Sequence, residues 1–398
     1  RRPRPSPLRT PNPQRPIPKA FGTQRINAQR INAQRLRMPD IGSTPAIYSA
    51  RPRIEVDGEP RLLLAENASV HVEETADGLY RCEMTVANYA APVGGGLPDF
   101  AFFDRADFDF GTSIRLSAGA GDAEGVLFDG RVMGLEAHYL HVGEPQLTVL
   151  AEDRLQDLRL TRRTRSFEDV TVPDVVEQIA RDHGLSPSVN LPNAPTHAVL
   201  AQVNQSDLAF LRDCVQTVDG EVWVEGETLF AERRGDRRTG EVTLTYKQGL
   251  REFSVLADLA HQSTEYVVSG WDVQGKGQIV GRATSDAVES EANGGSTGPV
   301  VLERMLQQQG GNGVRVQQRS DTVPLTSEEV QAHAASALRQ QARRFVTGSG
   351  VAIGDARIHV GTRITLQGLG SMFNGEYTAV AVRHTLNRET GFRTAFDV

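Results

Sequence analysis

Four groups of residues have types and spacings that could do chemistry. His138, His141 and Glu144 recur every third position, and on one helix face such a set could converge on zinc, which takes its ligands at about 2 Å. The stretch 132–142 instead alternates as a strand, which sends positions 138 and 141 to opposite faces, so these read as surface histidines. The segment FAFFDRADFDF (100–110) sets Asp104, Asp107 and Asp109 among five phenylalanines. Asp107 and Asp109 would share one strand face and could act as an acid–base pair. No cleft-forming motif accompanies them, and a rim of acids between core aromatics is the expectation. Cys214 falls on the apolar face of a predicted helix and reads as a core residue. His384, in the triplet V-R-H, has no nucleophile pattern beside it and reads as a packing or hydrogen-bonding residue. The chain has no H-E-x-x-H or P-loop, and the glycine runs at 94–96 and 310–313 lack the Lys-Ser/Thr that grips phosphate. No catalytic, cofactor-binding or metal-ligating residue is assigned, no cofactor is expected, and the chain reads as a protein that is not an enzyme.

Bulk properties narrow the class. A length of 398 residues allows two or three domains. A hydrophobic share of 39% with 38 Gly and 20 Pro suits a turn-rich, β-leaning protein with ample core. No run approaches the roughly 18 consecutive apolar residues of a membrane span, so no direct membrane insertion is expected. The two cysteines, Cys82 and Cys214, lie in separate predicted elements, which argues against a disulfide framework and fits synthesis in a reducing cytoplasm. Net charge is −7, but residues 1–37 hold ten Lys or Arg and no acid. The remaining 33 basic and 50 acidic residues leave 38–398 at −17. Phosphate neutralisation supplies most nucleic-acid affinity, so so acidic a body is not expected to bind nucleic acid.

Four regions follow from the pattern. Residues 1–40 form a Pro/Arg-rich basic leader, with seven prolines before Met38 and the repeat RINAQ-RINAQ at 25–34; disorder is expected there. Its composition superficially fits a transit peptide or a nucleic-acid arm, and the preferred reading is leader sequence upstream of a start at Met38. Residues 41–158 read as strands, with Asp57-Gly58, Asp77-Gly78 and Asp129-Gly130 as hairpin or bulge signals. Residues 159–236 change period. Thr171, with Asp174 three residues on, caps a helix whose face is Val172, Val175, Val176 and Ile179, and Gly184 stops it. A second helix runs near 205–218, followed by a hairpin turning at Glu225–Gly226. Residues 237–398 return to strands, interrupted by a Gly/Ser/Gln-rich flexible loop at 284–322 with a short helical stretch at 300–309, and by a helix at 327–345 capped by Thr326 and Glu329.

The last 38 residues carry the most specific pattern. They run strand, G-L-G, F-x-G-x-Y, a strand through V-x-H, a short turn, then G-F-R-T-x-F. This resembles the end of the hub domain in the phage late control protein D family, which includes the hub part of VgrG-type spike proteins. The order F-E-D-V-T-V-P-D-V-V-E-Q-I-A, G-L, N-Q-S-D-L-A-F-L-R (167–212) resembles that family's small α/β insertion. G-T-S-I-R-L-S-A-G, L-F-D-G-R-V and L-T-V-L-A-E-D-R-L-Q-D-L (111–158) resemble its first hub barrel, which ends at an Arg-rich corner, here Arg159, Arg162, Arg163 and Arg165.

The resemblance implies a mainly β fold of two tandem antiparallel hub barrels, at 41–158 and 237–398, with an α/β insert. It implies a structural baseplate hub of a contractile injection system or phage-like tail. Three copies would form a ring, so that six barrels match a six-fold tail tube above and a three-fold spike below. The implied partners are two further copies, a separate spike protein, a tail tube or tube-initiator protein and baseplate wedge proteins. Synthesis would be cytoplasmic and assembly would be into the baseplate particle. Two other classes compete. A cell-wall hydrolase would need a glutamate or Cys-His site in an α-rich domain. A carbohydrate-binding β-sandwich adhesin would expose aromatics on loops, whereas Trp223 and Trp271 fall in predicted strands.

Overall fold

Side chains that alternate between apolar and polar build most of this molecule. The computed structural model describes residues 52–89, 100–119, 123–273, 275–291, 295–320 and 324–398; the basic leader at 1–40 lies outside them. In β1 (Arg53–Val56), β3 (Ser69–Thr75), β4 (Arg81–Ala87) and β5 (Ser113–Ala118) every second side chain is buried. A two-residue β2 (Glu59–Pro60) and a short helix α1 (Leu62–Asn67) intervene. With β6 (Gly125–His138) and β7 (Gln146–Glu152) these strands pair antiparallel around one core that includes Val70, Met84, Phe108, Leu116 and Val149. Asp57 and Gly58 both take positive φ, 50° and 80°, as a two-residue hairpin turn with type I′ character requires. Asp129-Gly130 makes no turn. It lies inside β6, where the missing Cβ of Gly130 admits the Glu152 carbonyl, 2.3 Å from where that Cβ would sit.

The next lobe is the expected α/β insert. It contains β8 (Arg162–Thr171), α2 (Val172–Asp182), β9 (Ser186–Asn190), β10 (Thr196–Ser206), α3 (Asp207–Thr217), β11 (Gly220–Glu225) and β12 (Thr228–Arg233). Strands β8 and β10 form a ribbon, and β9 pairs parallel with β12. Helices α2 and α3 bury Val175, Ile179, Leu211 and Val215 in the lobe's core. Thr171 closes a full capping box with Asp174, whose carboxylate accepts the Thr171 N–H at 2.8 Å. Those bonds hold the Asp174 carboxyl below its ordinary pKa. Thr171→Ala should cost about 1 kcal/mol, read as a lower urea midpoint with an unchanged slope.

The C-terminal half departs from expectation in three ways. First, β13 (Glu241–Thr245) and β14 (Leu250–Ala257) lead into a second α/β lobe rather than directly into a barrel. This lobe holds β15 (Glu265–Asp272), β16 (Gly277–Thr284), α4 (Gly298–Gln308), β17 (Val316–Arg319) and α5 (Ser327–Ala342). Its own core comprises Tyr266, Val268, Ala283, Val288, Val330, Ala334 and Leu338. Second, the segment 284–322, expected as a flexible loop with a short helical stretch at 300–309, holds that helix as α4 and adds the unexpected strand β17. All four β17 side chains are exposed, so the strand is held by backbone pairing with β15 and shows no alternating pattern. Third, the helix expected to reach 345 ends at Ala342, because the chain must turn to bring Val346 opposite Ala257.

Strands β18 (Val346–Ile353), β19 (Arg363–Gln367), β20 (Gly375–Thr378), β21 (Ala381–Asn387) and β22 (Gly391–Asp397) complete the chain. The mainly β architecture with an α/β insertion is as the sequence indicates. The two β halves, each around its own core, are joined in one 11-stranded sheet of order β14-β18-β22-β21-β3-β4-β7-β6-β5-β1-β2. The seam is the antiparallel pair β21–β3, with His384 opposite Val72. A smaller sheet, β13-β19-β20, stands beside it.

Candidate functional site

The residues singled out for chemistry do not converge. Strand β6 stops at His138, whose Nε2 lies 3.5 Å from Glu136, while His141 and Glu144 are exposed on the following loop. The aspartates at 104–109 sit on successive turns and not on a strand face. Asp104 accepts the Ala106 N–H, Asp107 pairs with Arg61 at 2.9 Å, and Asp109 is bound by Arg105. Turns form here because the backbone bonds locally to these carboxylates. Cys214 is buried, and burial pushes its thiol up to about 12. At the arginine corner, Arg163 and Arg165 reach the fully buried Asp207 at 3.4 and 2.9 Å. Burial opposes the charge on Asp207, but bonds from His183 and Gln202 and these arginines hold its pKa below the ordinary range. The corner neutralises an internal acid at the first turn of α3.

His384 belongs to a buried cluster at the seam. Val70, Val72 and Glu74 alternate onto the inward face of β3, as Val382, His384 and Leu386 do on β21. A carboxylate on such a face must be paired. Glu74 accepts from His359 Nδ1 at 2.7 Å and from the Val360 N–H at 3.1 Å. His384 Nε2 lies 3.0 Å from the Ile358 carbonyl, which can only accept, so this nitrogen carries the proton. Its Nδ1 faces the Thr394 hydroxyl at 3.0 Å. Burial pushes the His384 pKa down to about 4, and the ring is neutral. Burial also opposes charge on Glu74 and His359, yet each overrides it for the other: His359 is held above its ordinary pKa and Glu74 below. The ligand atoms of Glu74, His359 and His384 lie within 4.8 Å of one another, the one such trio among the described residues. To ligate a metal through Nε2, His384 would have to abandon its bond to Ile358. The arrangement tethers the two β halves.

A second knot joins three lobes. Arg237, 1% exposed, stacks 3.9 Å over Trp223 of β11. It donates to Glu221 at 3.1 Å and to the Tyr80 hydroxyl, just before β4, at 2.6 Å. Gly361, at φ 90°, leaves room for its stem. Nearby, Arg343 binds Asp219 through two 2.6 Å bonds and also Glu291, tying the end of α5 to the α3–β11 turn. A cleft of about 1010 Å³ opens where the lobes meet. Its walls interleave Arg212, Arg238 and Arg343 with Asp77, Glu291 and Glu376, so it offers no field of one sign. Sequence reading missed Glu74 and Arg237. Glu74 had a signal, an acid in the inward register of S-V-H-V-E-E, whereas Arg237 had none.

This geometry defines a class: a mainly β scaffold whose buried polar groups join its lobes. The fold is that of phage tail proteins. A tail protein from Neisseria meningitidis MC58 superposes with a TM-score of 0.61 at 12% identity, covering 88% of this chain and 96% of that one. The 43 kDa tail protein of prophage MuSo2 from Shewanella oneidensis gives 0.58 at 11% identity, covering 88% and 98%. Prophage tail protein gp18 from Listeria monocytogenes gives 0.50 at 14%, covering 83% and 87%. A family model described as the Alg8 N-terminal domain matches residues 49–388, and the chain belongs to that family. That description differs from the late control protein D family suggested by the sequence. No curated protein matches the chain.

Proposed function

We propose that the protein is a structural hub in the baseplate of a phage-like tail or contractile injection system, working by geometry and not by catalysis. The observation that carries this reading is the superposition of two tail proteins over 96% and 98% of their length and 88% of this chain. Two linked β halves per chain suit a threefold ring that presents six related units upward and three downward. Such a ring would seat a tail tube or tube-initiator protein on one side and a separate spike on the other, with wedge proteins around it. The late control protein D resemblance of residues 361–398 points the same way. The buried ion pairs across the lobes fit a part that must keep its shape under load. Among the described residues no helix is long and apolar enough to cross a membrane.

Native mass spectrometry of the purified chain should give an assembly of three times the 43.4 kDa protomer. A monomer at micromolar concentration, with or without a spike protein, would remove the ring. Clearing of peptidoglycan in a zymogram, lost on changing a single acid, would instead favour a hydrolase.

A further inference from the structure

The two α/β lobes meet through polar bonds and through apolar side chains, Leu200 and Phe210 of the first lobe sharing a cleft with Pro324 and Leu325 of the second. Helix α5 turns Val330, Ala334 and Leu338 toward its own sheet. Its other side reaches the first lobe through Ser336 Oγ, which donates to the Gln216 carbonyl at 2.7 Å, and through Gln340 and Arg343. At its first turn, Glu329 accepts from His197 Nδ1 of β10 at 3.0 Å and from the Leu325 N–H at 2.6 Å. The second lobe hangs from the large sheet by a neck of two segments, closed by the Asp258 N–H bond to the Phe345 carbonyl. Contacts of such mixed character move more readily than large apolar interfaces.

An open cleft of about 290 Å³ lies at this joint, where His197, Asp213, Glu329 and His333 line it beside Leu200 and Phe210. His197 is nine-tenths buried, and its Nε2 has no hydrogen-bond partner. A buried imidazole nitrogen left unpaired costs free energy that hydration would return. His333 lies one turn beyond Glu329 on α5. The charged groups around it are Glu329 on its own helix, His197 from β10 and Arg319 from β17. Asp213 of α3, on the same cleft wall, is already bound by Gln205 at 2.9 Å.

We propose that the contact between α5 and the first α/β lobe is a latch that holds at neutral pH and releases on acidification, with His333, beside His197 and Glu329 in the cleft, as its trigger. Burial first, then His197 and Arg319, holds the His333 pKa below its ordinary value against the pull of Glu329. The closed joint therefore favours the neutral ring. As pH falls below about 6.5, the opened joint takes up a proton that the closed one refuses, so closure weakens from there downward and is unaffected above. Opening also hydrates His197 Nε2.

The test uses the full chain carrying Asn190→Cys in the first lobe and Gln308→Cys in the second, both spin-labelled; the native cysteines are buried. Double electron–electron resonance should give one distance at neutral pH and longer distances at about pH 5. His333→Gln should keep the short distance at both pH values, while His141→Gln, on an exposed loop, should open as the parent does. An unchanged distance in the parent, or opening of His333→Gln equal to the parent's, would overturn the latch. Unchanged far-UV circular dichroism identifies opening as distinct from unfolding.

Discussion

Arg237→Ala should destabilise the fold by about 3–5 kcal/mol, because removing one partner of a buried ion pair leaves the other's charge poorly compensated. The loss falls on three lobes at once. Glu221 keeps only Arg234, at 3.2 Å, the Trp223 face loses its cation, and the Tyr80 hydroxyl loses its donor. Arg237→Lys should recover little, since a single ammonium cannot stack on the indole while bonding to two oxygens on either side. Arg237→Met should do better than alanine, because it fills the space beside Gly361 without a charge. The measurement is urea unfolding of the three variants. A loss below about 1 kcal/mol for alanine, typical of an exposed ion pair, would show that the knot holds nothing.

Glu74→Gln comes next, with an expected loss of about 3 kcal/mol or more and a distinctive pH dependence. Glu74 has a lowered pKa in the fold, so its contribution is present above its ordinary value of 4.5 and is lost as pH falls through the folded value. His359 has a raised pKa, so its contribution is full below 6.5 and is lost as pH rises through the folded value. The stability difference between parent and variant should therefore peak between 4.5 and 6.5 and shrink on both sides. His384 acts in the opposite sense: buried neutral, it weakens the fold as pH falls from 6.5 toward about 4. That loss is present in both proteins and is greater in the variant, where the Glu74 charge no longer raises the His384 pKa. A difference independent of pH would mean that Glu74 acts by packing alone.

The proposed hub gives these knots a use. A ring that transmits force between a tube and a spike must resist shear between its own lobes, and the buried ion pairs sit at the lobe boundaries. The joint between the two α/β lobes carries one of these pairs, Arg343 with Asp219 at the end of α5, but at the start of α5 it holds an unpaired imidazole nitrogen beside an open cleft. It is the place where the scaffold could yield.

Much of the local structure was legible because it depends on neighbours along the chain. Alternation marked β1 and β3 to β7, and Thr171 with Asp174 marked the start of α2, since a cap is built from residues three apart. The β17 strand was not legible, because all its side chains are exposed and only a backbone ladder with β15 holds it. The aspartates at 104–109 misled for a related reason. Their spacing suggests a strand, while their carboxylates bind local N–H groups and guanidinium groups and so fold the backbone into turns.

By itself the sequence determined most of the strands of the first β half, the start of α2, which of their faces turn inward, and that a basic stretch precedes an acidic body, because these depend on side-chain order and composition. Only the tertiary structure decided that β21 pairs with β3 to unite the halves, that Glu74 meets His359 across 285 positions, and that Arg237 lies on Trp223. Those contacts join residues far apart in the chain, and no local pattern encodes which distant partner will satisfy a buried charge.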